Sequence, residues 1–143
     1  MGISIYGKVK GGRSEYSLDM GAATFYRLRC TIARNFSLPF YQCYSRIITL
    51  SDEEFNQTAS EVIETYKLYT PQWKKRLLDF FFEPDCDGEI SYGTAKRIYD
   101  LIKNEPDDDK YGYTGWGERC STMGDFKKLL LDVYCKKGRL RWH

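Results

Sequence analysis

The sequence predicts an α+β fold, in which a mostly helical single domain carries a small antiparallel sheet formed by the terminal strands. Both ends of the chain alternate apolar and polar residues with the period of a strand. The segments between them repeat apolar residues at spacings of three and four, which is typical of amphipathic helices. A chain of 143 residues can build one hydrophobic core but not two, so residues 1–143 are expected to form one domain.

The predicted strands lie at the two termini. The segment ISIYGKV, residues 3–9, alternates apolar and polar positions, and the closing segment GRLRWH places Leu140 between two arginines. Alternation of this kind is typical of a strand with one buried face. If the two segments pair, the two ends of the chain lie side by side.

Helices are predicted between these strands because apolar residues recur on one face and capping residues precede them. Residues 21–36 place Phe25 and Ile32 on one face. Ser51 and Glu54 form a capping box ahead of the next helix. The other predicted helices begin at Thr70–Pro71, at Ser91 and near Phe126, and the last is expected to end at a C-terminal cap, Gly138.

A cytoplasmic protein without a membrane span is expected. The first residues lack a basic segment followed by an apolar one, and no run approaches the roughly 20 apolar residues of a membrane span. The five cysteines are widely spaced and include no CxxC pair, which argues against a disulfide framework and a structural zinc site. They are expected to be reduced thiols packed as small apolar groups.

The net charge of +2 is unevenly distributed along the chain. Residues 1–50 carry a net charge of +5, residues 51–110 carry −7, and residues 111–143 carry +4. Pairing of the termini would therefore create a positive face able to meet an acidic partner. Alternatively, the acidic middle of the chain neutralises the basic ends internally.

The segment FFFEPDCDGEIS, residues 80–91, resembles the calcium-binding loop of an EF-hand. With Gly88 at loop position 6, where an EF-hand turns sharply, Glu83, Asp85 and Asp87 take the ligand positions 1, 3 and 5. Carboxylate oxygens at these positions are the ligands that Ca²⁺ prefers. Calcium is accordingly the one metal that the sequence suggests, and no other cofactor is expected.

The same loop departs from an EF-hand where the cation is held most firmly. Position 12 is Thr94 rather than a bidentate glutamate, although Glu89 adds a further carboxylate at position 7. The alternative is a structural turn, in which Asp85 and Asp87 accept backbone hydrogen bonds or pair with arginines. The structural turn is favoured because the missing ligand is the strongest one.

Three segments together resemble a family of small, uncharacterised bacterial and phage proteins. The segments are MGAATFYRLRCTIA, LLDFFFEPDCDGEIS and MGDFKKLLLDVYCKKGRLRW, and the D-C-D-G loop is the most specific of the shared features. The resemblance implies a common fold and implies no particular activity. The positions that match the aromatic-x-x-Arg helix and the D-C-D-G loop are Phe25, Arg29, Asp85, Asp87 and Gly88.

Arg29 suggests how helix and loop are joined. It follows Phe25 by four residues, so its guanidinium lies beside the apolar face of the helix. We hypothesise that it reaches inward and binds Asp85 or Asp87 in a bidentate pair that latches the loop to the helix.

The segment YGYTGWGERC, residues 111–120, is glycine-rich and aromatic and is expected to be a long loop between helices. Loops of this kind often bind ligands. Tyr111, Tyr113 and Trp116 are candidates to stack on a base or to fill a pocket of a partner. The alternative is that these side chains cover the core.

The function predicted from these features is that of a non-enzymatic intracellular binding protein or inhibitor. It would block a protein, or sequester a small acidic or nucleotide ligand, through the aromatic segment and the basic face. The resemblance suggests a phage-encoded protein that counteracts a host defence system, such as a CRISPR effector or a nucleotide signal.

Two alternatives stay open at this point. One is a single-loop calcium-binding regulatory protein. The other is a nucleic-acid-binding protein with a basic face of Arg27, Arg34, Arg139 and Arg141. An enzyme is not expected, because the single histidine, His143, ends the chain and is expected to fray.

Overall fold

The computed structural model of the chain describes residues 2–46, 50–69, 72–84, 87–114 and 119–143. Within these residues, six helices and six strands form the predicted α+β fold. The elements are, in chain order, β1 (Gly2–Val9), β2 (Gly12–Gly21), α1 (Ala22–Phe36), α2 (Leu38–Tyr44), α3 (Asp52–Tyr69), α4 (Gln72–Phe82), β3 (Gly88–Ser91), α5 (Tyr92–Ile102), β4 (Lys110–Thr114), β5 (Arg119–Thr122), α6 (Met123–Cys135) and β6 (Arg139–Trp142).

The main sheet has four antiparallel strands in the order β2-β1-β6-β3. The C-terminal strand lies next to the N-terminal strand, with Ile5 opposite Trp142 and Gly7 opposite Leu140. The predicted pairing of the termini is therefore confirmed. The pairing is stable because the facing apolar residues lie on the same side of the sheet and are buried in the core.

Strand β2 is absent from the sequence prediction and forms a hairpin with β1. Its turn contains Gly11 and Gly12, whose φ angles of 94° and 136° are accessible mainly to glycine. Residues 16, 18 and 20 of the strand face the core, where Leu18 and Met20 are buried. This alternation is a strand signal of the same kind as that of residues 3–9.

The core joins α1, α4 and the C-terminal strand through aromatic rings. The ring of Phe25 lies 5.8 Å from that of Trp142 and 6.0 Å from that of Phe80, measured between centroids. The rings of Phe80 and Trp142 are 5.4 Å apart. All three side chains are fully buried, so the predicted apolar face of the first helix lies where expected.

Side-chain caps begin four of the described helices, α2, α3, α5 and α6. The backbone N–H of Glu54 donates to Ser51 Oγ at 3.2 Å, and that of Thr94 donates to Ser91 Oγ at 3.3 Å, which confirms these two predicted caps. Thr122 and Asp125 form a further capping box at the start of α6. The predicted cap at Thr70–Pro71 lies outside the described residues.

The predicted end of α6 is wrong in its detail. The residue with the left-handed φ is Lys137, at 51°, rather than Gly138. A Cβ at Gly138 would lie 2.6 Å from the carbonyl oxygen of Lys8, so this glycine allows the turn to approach β1 closely. The backbone N–H of Gly138 still closes the helix by donating to Val133 O at 2.9 Å.

Helix α2 was not predicted because it is short. Ser37 caps it, Pro39 lies in its first turn, and Phe40 and Tyr44 bury its inner face. Within the described part of the chain, none of the helices combines the length and apolar character needed to cross a membrane.

Candidate functional site

The glycine of the D-C-D-G loop is required by packing rather than by a turn. Gly88 begins β3 opposite Trp142, and a Cβ at Gly88 would overlap Cζ2 and Cε2 of the indole. Among the described glycines, only Gly11 and Gly12 have a positive φ, so Gly88 does not make the sharp turn expected at position 6 of an EF-hand. Trp142 Nε1 also donates to the carbonyl oxygen of Pro84 at 2.9 Å, which ties the loop to the C-terminal strand.

Two of the described carboxylates of the loop, those of Glu83 and Glu89, make contacts with the protein itself. Glu83 Oε2 accepts the backbone N–H of Glu89 at 2.8 Å. Glu89 pairs with Arg139, with 2.9 Å between Oε2 and Nε, and Arg141 Nε lies 3.8 Å from Glu89 Oε1. No cluster of three or more possible metal ligands occurs among the residues that the structure describes. Asp87 is exposed, and Asp85 lies outside the described residues.

Arg29 does reach into the interior, as hypothesised. Its side chain is 7% exposed, and its guanidinium carbon lies 4.3 Å from the centroid of the Phe25 ring. Its Nη2 donates to the carbonyl oxygen of Glu83 at 2.8 Å, so α1 is joined to the start of the loop. The hypothesised pair with Asp85 falls outside the described residues, and the pair with Asp87 stays a prediction.

The aromatic segment is a hairpin rather than a long loop, which corrects the prediction. Strand β4 pairs with β5 from Lys110 opposite Thr122 to Thr114 opposite Arg119. Tyr111 is 2% exposed, so it is not available to stack on a base or to enter a partner's pocket. The side chain of Tyr113 and the whole of Trp116 lie outside the described residues.

Tyr111 is instead held by α1. Its hydroxyl lies 3.1 Å from Thr31 Oγ1, and the guanidinium carbon of Arg27 lies 4.1 Å from its ring centroid. Arg27 also donates to the carbonyl oxygen of Lys110. For Tyr111, the alternative that the aromatic side chains cover the core therefore holds.

The four arginines predicted to form one basic face lie on two separate surfaces. Arg27 and Arg34 belong to α1, and Arg34 Nη2 pairs with Glu105 Oε1 at 3.3 Å. Arg139 and Arg141 belong to β6, on the side of the sheet opposite the core. The prediction failed because it used the charges of the arginines alone and did not consider the surface on which each helix or strand places them.

The pairing of the termini nevertheless assembles cations on the outside of the sheet. Lys8 is opposite Arg13 on one neighbouring strand and opposite Arg139 on the other, and Arg141 is opposite Tyr6. Lys8, Arg13 and Arg139 are exposed and Arg141 is half-buried. We call the surface formed by Tyr6, Lys8, Arg13, Arg139 and Arg141 the outer sheet face.

The ring of Tyr6 lies at the centre of the outer sheet face and is 8% exposed. The guanidinium carbon of Arg13 lies 4.0 Å from its centroid, and the ring of His143 meets it edge-on at 5.4 Å. His143 does not fray as expected, because its backbone pairs with that of Ser4 at 2.8 and 3.1 Å.

The charge of the outer sheet face is only partly neutralised. Glu89, from the acidic middle of the chain, pairs with the two arginines of β6. Asp19, at the other side of the sheet, accepts a hydrogen bond from Ser4 Oγ. Two exposed lysines, Lys10 and Lys137, extend the positive charge at the hairpin end, whereas Lys136 pairs with Asp132 Oδ1 at 3.0 Å.

The sequence prediction missed Lys8, Arg13 and Tyr6 as members of this surface. Strand β2 was not recognised, and without this strand Arg13 cannot be assigned to a face of the sheet. The alternation of residues 16–20 together with the glycine pair before them was the signal that could have found it.

Three cysteines, Cys30, Cys43 and Cys135, are free thiols, as predicted, but two of them are not packed in the interior. Cys30 is half-buried, whereas Cys43 and Cys135 are exposed. The expectation that all the thiols pack as apolar groups is therefore wrong for these two.

No family model matches this chain, and no curated protein or solved structure matches it either.

Proposed function

We propose that this chain is a non-enzymatic binding protein that blocks an acidic partner protein by docking its outer sheet face against it. The observation that carries the proposal is the alignment of Arg13, Lys8 and Arg139 across three neighbouring strands. A concentrated positive surface attracts an acidic patch, speeds association with it and orients the complex.

The surroundings of the outer sheet face favour a protein partner. Ser91 is opposite Arg139, and the next residue, Tyr92, is exposed and lies 6.3 Å from the ring of exposed Tyr134. Tyrosine and arginine are enriched at protein interfaces, where each contributes a large area and a polar group. The surface thus combines charge with aromatic area.

Nucleic acid is a second candidate, because clustered Arg and Lys side chains are also what phosphate contacts require. Two features count against it as the leading function. Tyr6 is covered by Arg13 and offers no ring for base stacking. The sequence pI of about 8.2 lies below the values above about 9 that are typical of nucleic-acid-binding domains.

The remaining parts of the predicted function rest on the family resemblance. A phage origin, and a host target such as a CRISPR effector or a nucleotide-signalling protein, stay predictions. The calcium-regulatory alternative draws no support from Glu83 and Glu89, because both contact the protein's own groups.

The proposal is tested by affinity capture from a nuclease-treated bacterial lysate with three forms of the protein. The first is wild type, the second combines Lys8→Gln with Arg139→Gln, and the third combines Lys103→Gln with Lys128→Gln, two exposed lysines of the helical side. We expect a stoichiometric acidic protein to bind wild type and the third form but not the second. Equal capture by all three forms, or capture that occurs only when the nuclease treatment is omitted, would contradict the proposal.

A further inference from the structure

A cavity of about 730 Å³ lies on the helical side of the molecule, away from the outer sheet face. Its size falls within the range of roughly 300–1,000 Å³ that is usual for small-molecule sites. It is open to solvent and is lined by the start of α1, the end of α2, the start of α3 and the end of α4. Six of the described lining residues have aromatic side chains: Phe25, Tyr26, Tyr44, Phe55, Phe81 and Phe82.

One of the polar side chains among these rings is a cation. Arg29 lines the cavity with its side chain largely withdrawn from solvent. Its contacts with the ring of Phe25 and the carbonyl oxygen of Glu83 fix the direction of the guanidinium. A fixed, desolvated guanidinium attracts an anion more strongly than an exposed one does.

The start of α1 adds to this positive potential. Gly21 supplies no side-chain cap, and the first turn contains no acidic residue. Ala22 and Ala23 of this turn line the cavity. The positive end of the helix dipole therefore faces the same space as Arg29, with only small side chains in between.

Among the described lining residues, the two carboxyl groups are placed where they oppose an anion weakly. The Oε2 atom of Glu83 accepts the backbone N–H of Glu89, and burial raises the pKa of this carboxyl above its ordinary value. Asp52 is exposed in the first turn of α3, where it complements the dipole of its own helix.

We propose that this cavity binds a small amphipathic anion, whose flat apolar body packs among the aromatic walls and whose carboxylate or phosphate head group faces Arg29 and the start of α1. The walls supply the apolar contact area, and the cation and helix dipole select the negative charge. This second site is independent of the outer sheet face.

Position 23 offers a test that leaves the core intact. Ala23→Glu places a carboxylate in the first turn, where it favours the helix but repels an anion in the cavity. Ala23→Gln has nearly the same shape without the charge. The probe is 8-anilinonaphthalene-1-sulfonate, a flat aromatic anion whose fluorescence rises in an apolar site, and the neutral control is N-phenyl-1-naphthylamine.

We expect saturable binding of the sulfonate to wild type and to Ala23→Gln, and binding about tenfold weaker to Ala23→Glu. The neutral control should bind more weakly than the sulfonate. The outer-face variant carrying Lys8→Gln and Arg139→Gln should bind the sulfonate as wild type does. Equal affinity in the two Ala23 variants, no saturable signal, or loss of binding in the outer-face variant would overturn the proposal.

Competition then identifies the source of the head group. Displacement of the sulfonate by 3-phenylpropionate assigns a carboxylate ligand, and displacement by phenyl phosphate assigns a phosphate ligand. Displacement by neither compound would contradict the proposed class. Thermal melts of each variant show whether the fold is retained.

Discussion

At the residue scale, Gly88 shows how one contact decides the character of the D-C-D-G loop. The strand begins so close to Trp142 that its first residue has no room for a side chain. The indole in turn donates to the carbonyl oxygen of Pro84, so the same tryptophan fixes both ends of the described loop. The loop is therefore organised around the protein's own side chains.

Gly88→Ala should destabilise the protein by about 1–3 kcal/mol, because the new methyl group forces the indole out of its position. The free energy of unfolding from urea titration measures this. Gly93→Ala is the matched control, since its nearest neighbour would lie 3.9 Å away and alanine is the better helix former. Gly88→Asn separates a requirement of packing against Trp142 from a requirement of a sharp turn, because asparagine tolerates the backbone of such a turn but carries a side chain. A Gly88→Asn protein as stable as wild type would contradict the packing requirement.

Glu83 provides a pH-dependent prediction. Burial raises its pKa above the ordinary value of 4.5, against the smaller opposing effect of the hydrogen bond from Glu89. The folded state therefore holds this proton more tightly than the unfolded state, and the resulting stability is present below 4.5 and is lost as the pH rises through the raised pKa.

Glu83→Gln removes this dependence. The free energy of unfolding of wild type minus that of the variant should fall as the pH rises above 4.5 and then level off. Urea titrations at a series of pH values measure the difference. A difference that rises with pH would mean that the folded state favours the ionised carboxylate.

At the element scale, the end of α5 depends on a lysine from the neighbouring helix. Lys127 Nζ donates to the carbonyl oxygens of Lys103 and Glu105 at 3.1 and 2.5 Å, and to Asp107 Oδ1 at 2.6 Å. Its side chain is 12% exposed. This ammonium thus satisfies the last turn of α5 and joins the two helices.

Lys127→Met keeps the apolar stem and removes these hydrogen bonds. We expect it to lower the free energy of unfolding by about 1–3 kcal/mol, because the carbonyl groups at the end of α5 lose hydrogen bonds from a charged donor. Lys128→Met, at the next and exposed position, should change stability by less than about 0.5 kcal/mol. Equal effects of the two substitutions would show that the hydrogen bonds of Lys127 to the end of α5 add no stability.

Elements whose signals are local could be predicted from the sequence. The caps at Ser51 and Ser91 act within four residues, and the apolar face of α1 repeats over four turns. Strand β3 could not be predicted, because four residues beside acidic positions become a strand only through pairing with β6. Tyr111 is a comparable case, since its burial depends on Thr31 and Arg27, about 80 residues earlier.

At the scale of the whole molecule, the antiparallel pairing of the termini converts a charge asymmetry along the chain into a charged surface. The two basic segments are separated by an acidic one, and the fold brings them together while the acidic segment contributes Glu89 at one edge. The pairing could be predicted, because both segments alternate. The set of cations that share the surface could not be predicted, because the register of the paired strands determines it.

The most direct test of the proposed binding surface uses fluorescence anisotropy of a labelled oligoglutamate peptide at about 50 mM and about 200 mM salt. Binding to wild type should weaken as salt rises, and the combined change of Lys8→Gln with Arg139→Gln should weaken it about fivefold at low salt. The matched form with Lys103→Gln and Lys128→Gln should bind as wild type does. Equal weakening in both forms would mean that the peptide responds to net charge alone, which would contradict a binding role for the outer sheet face.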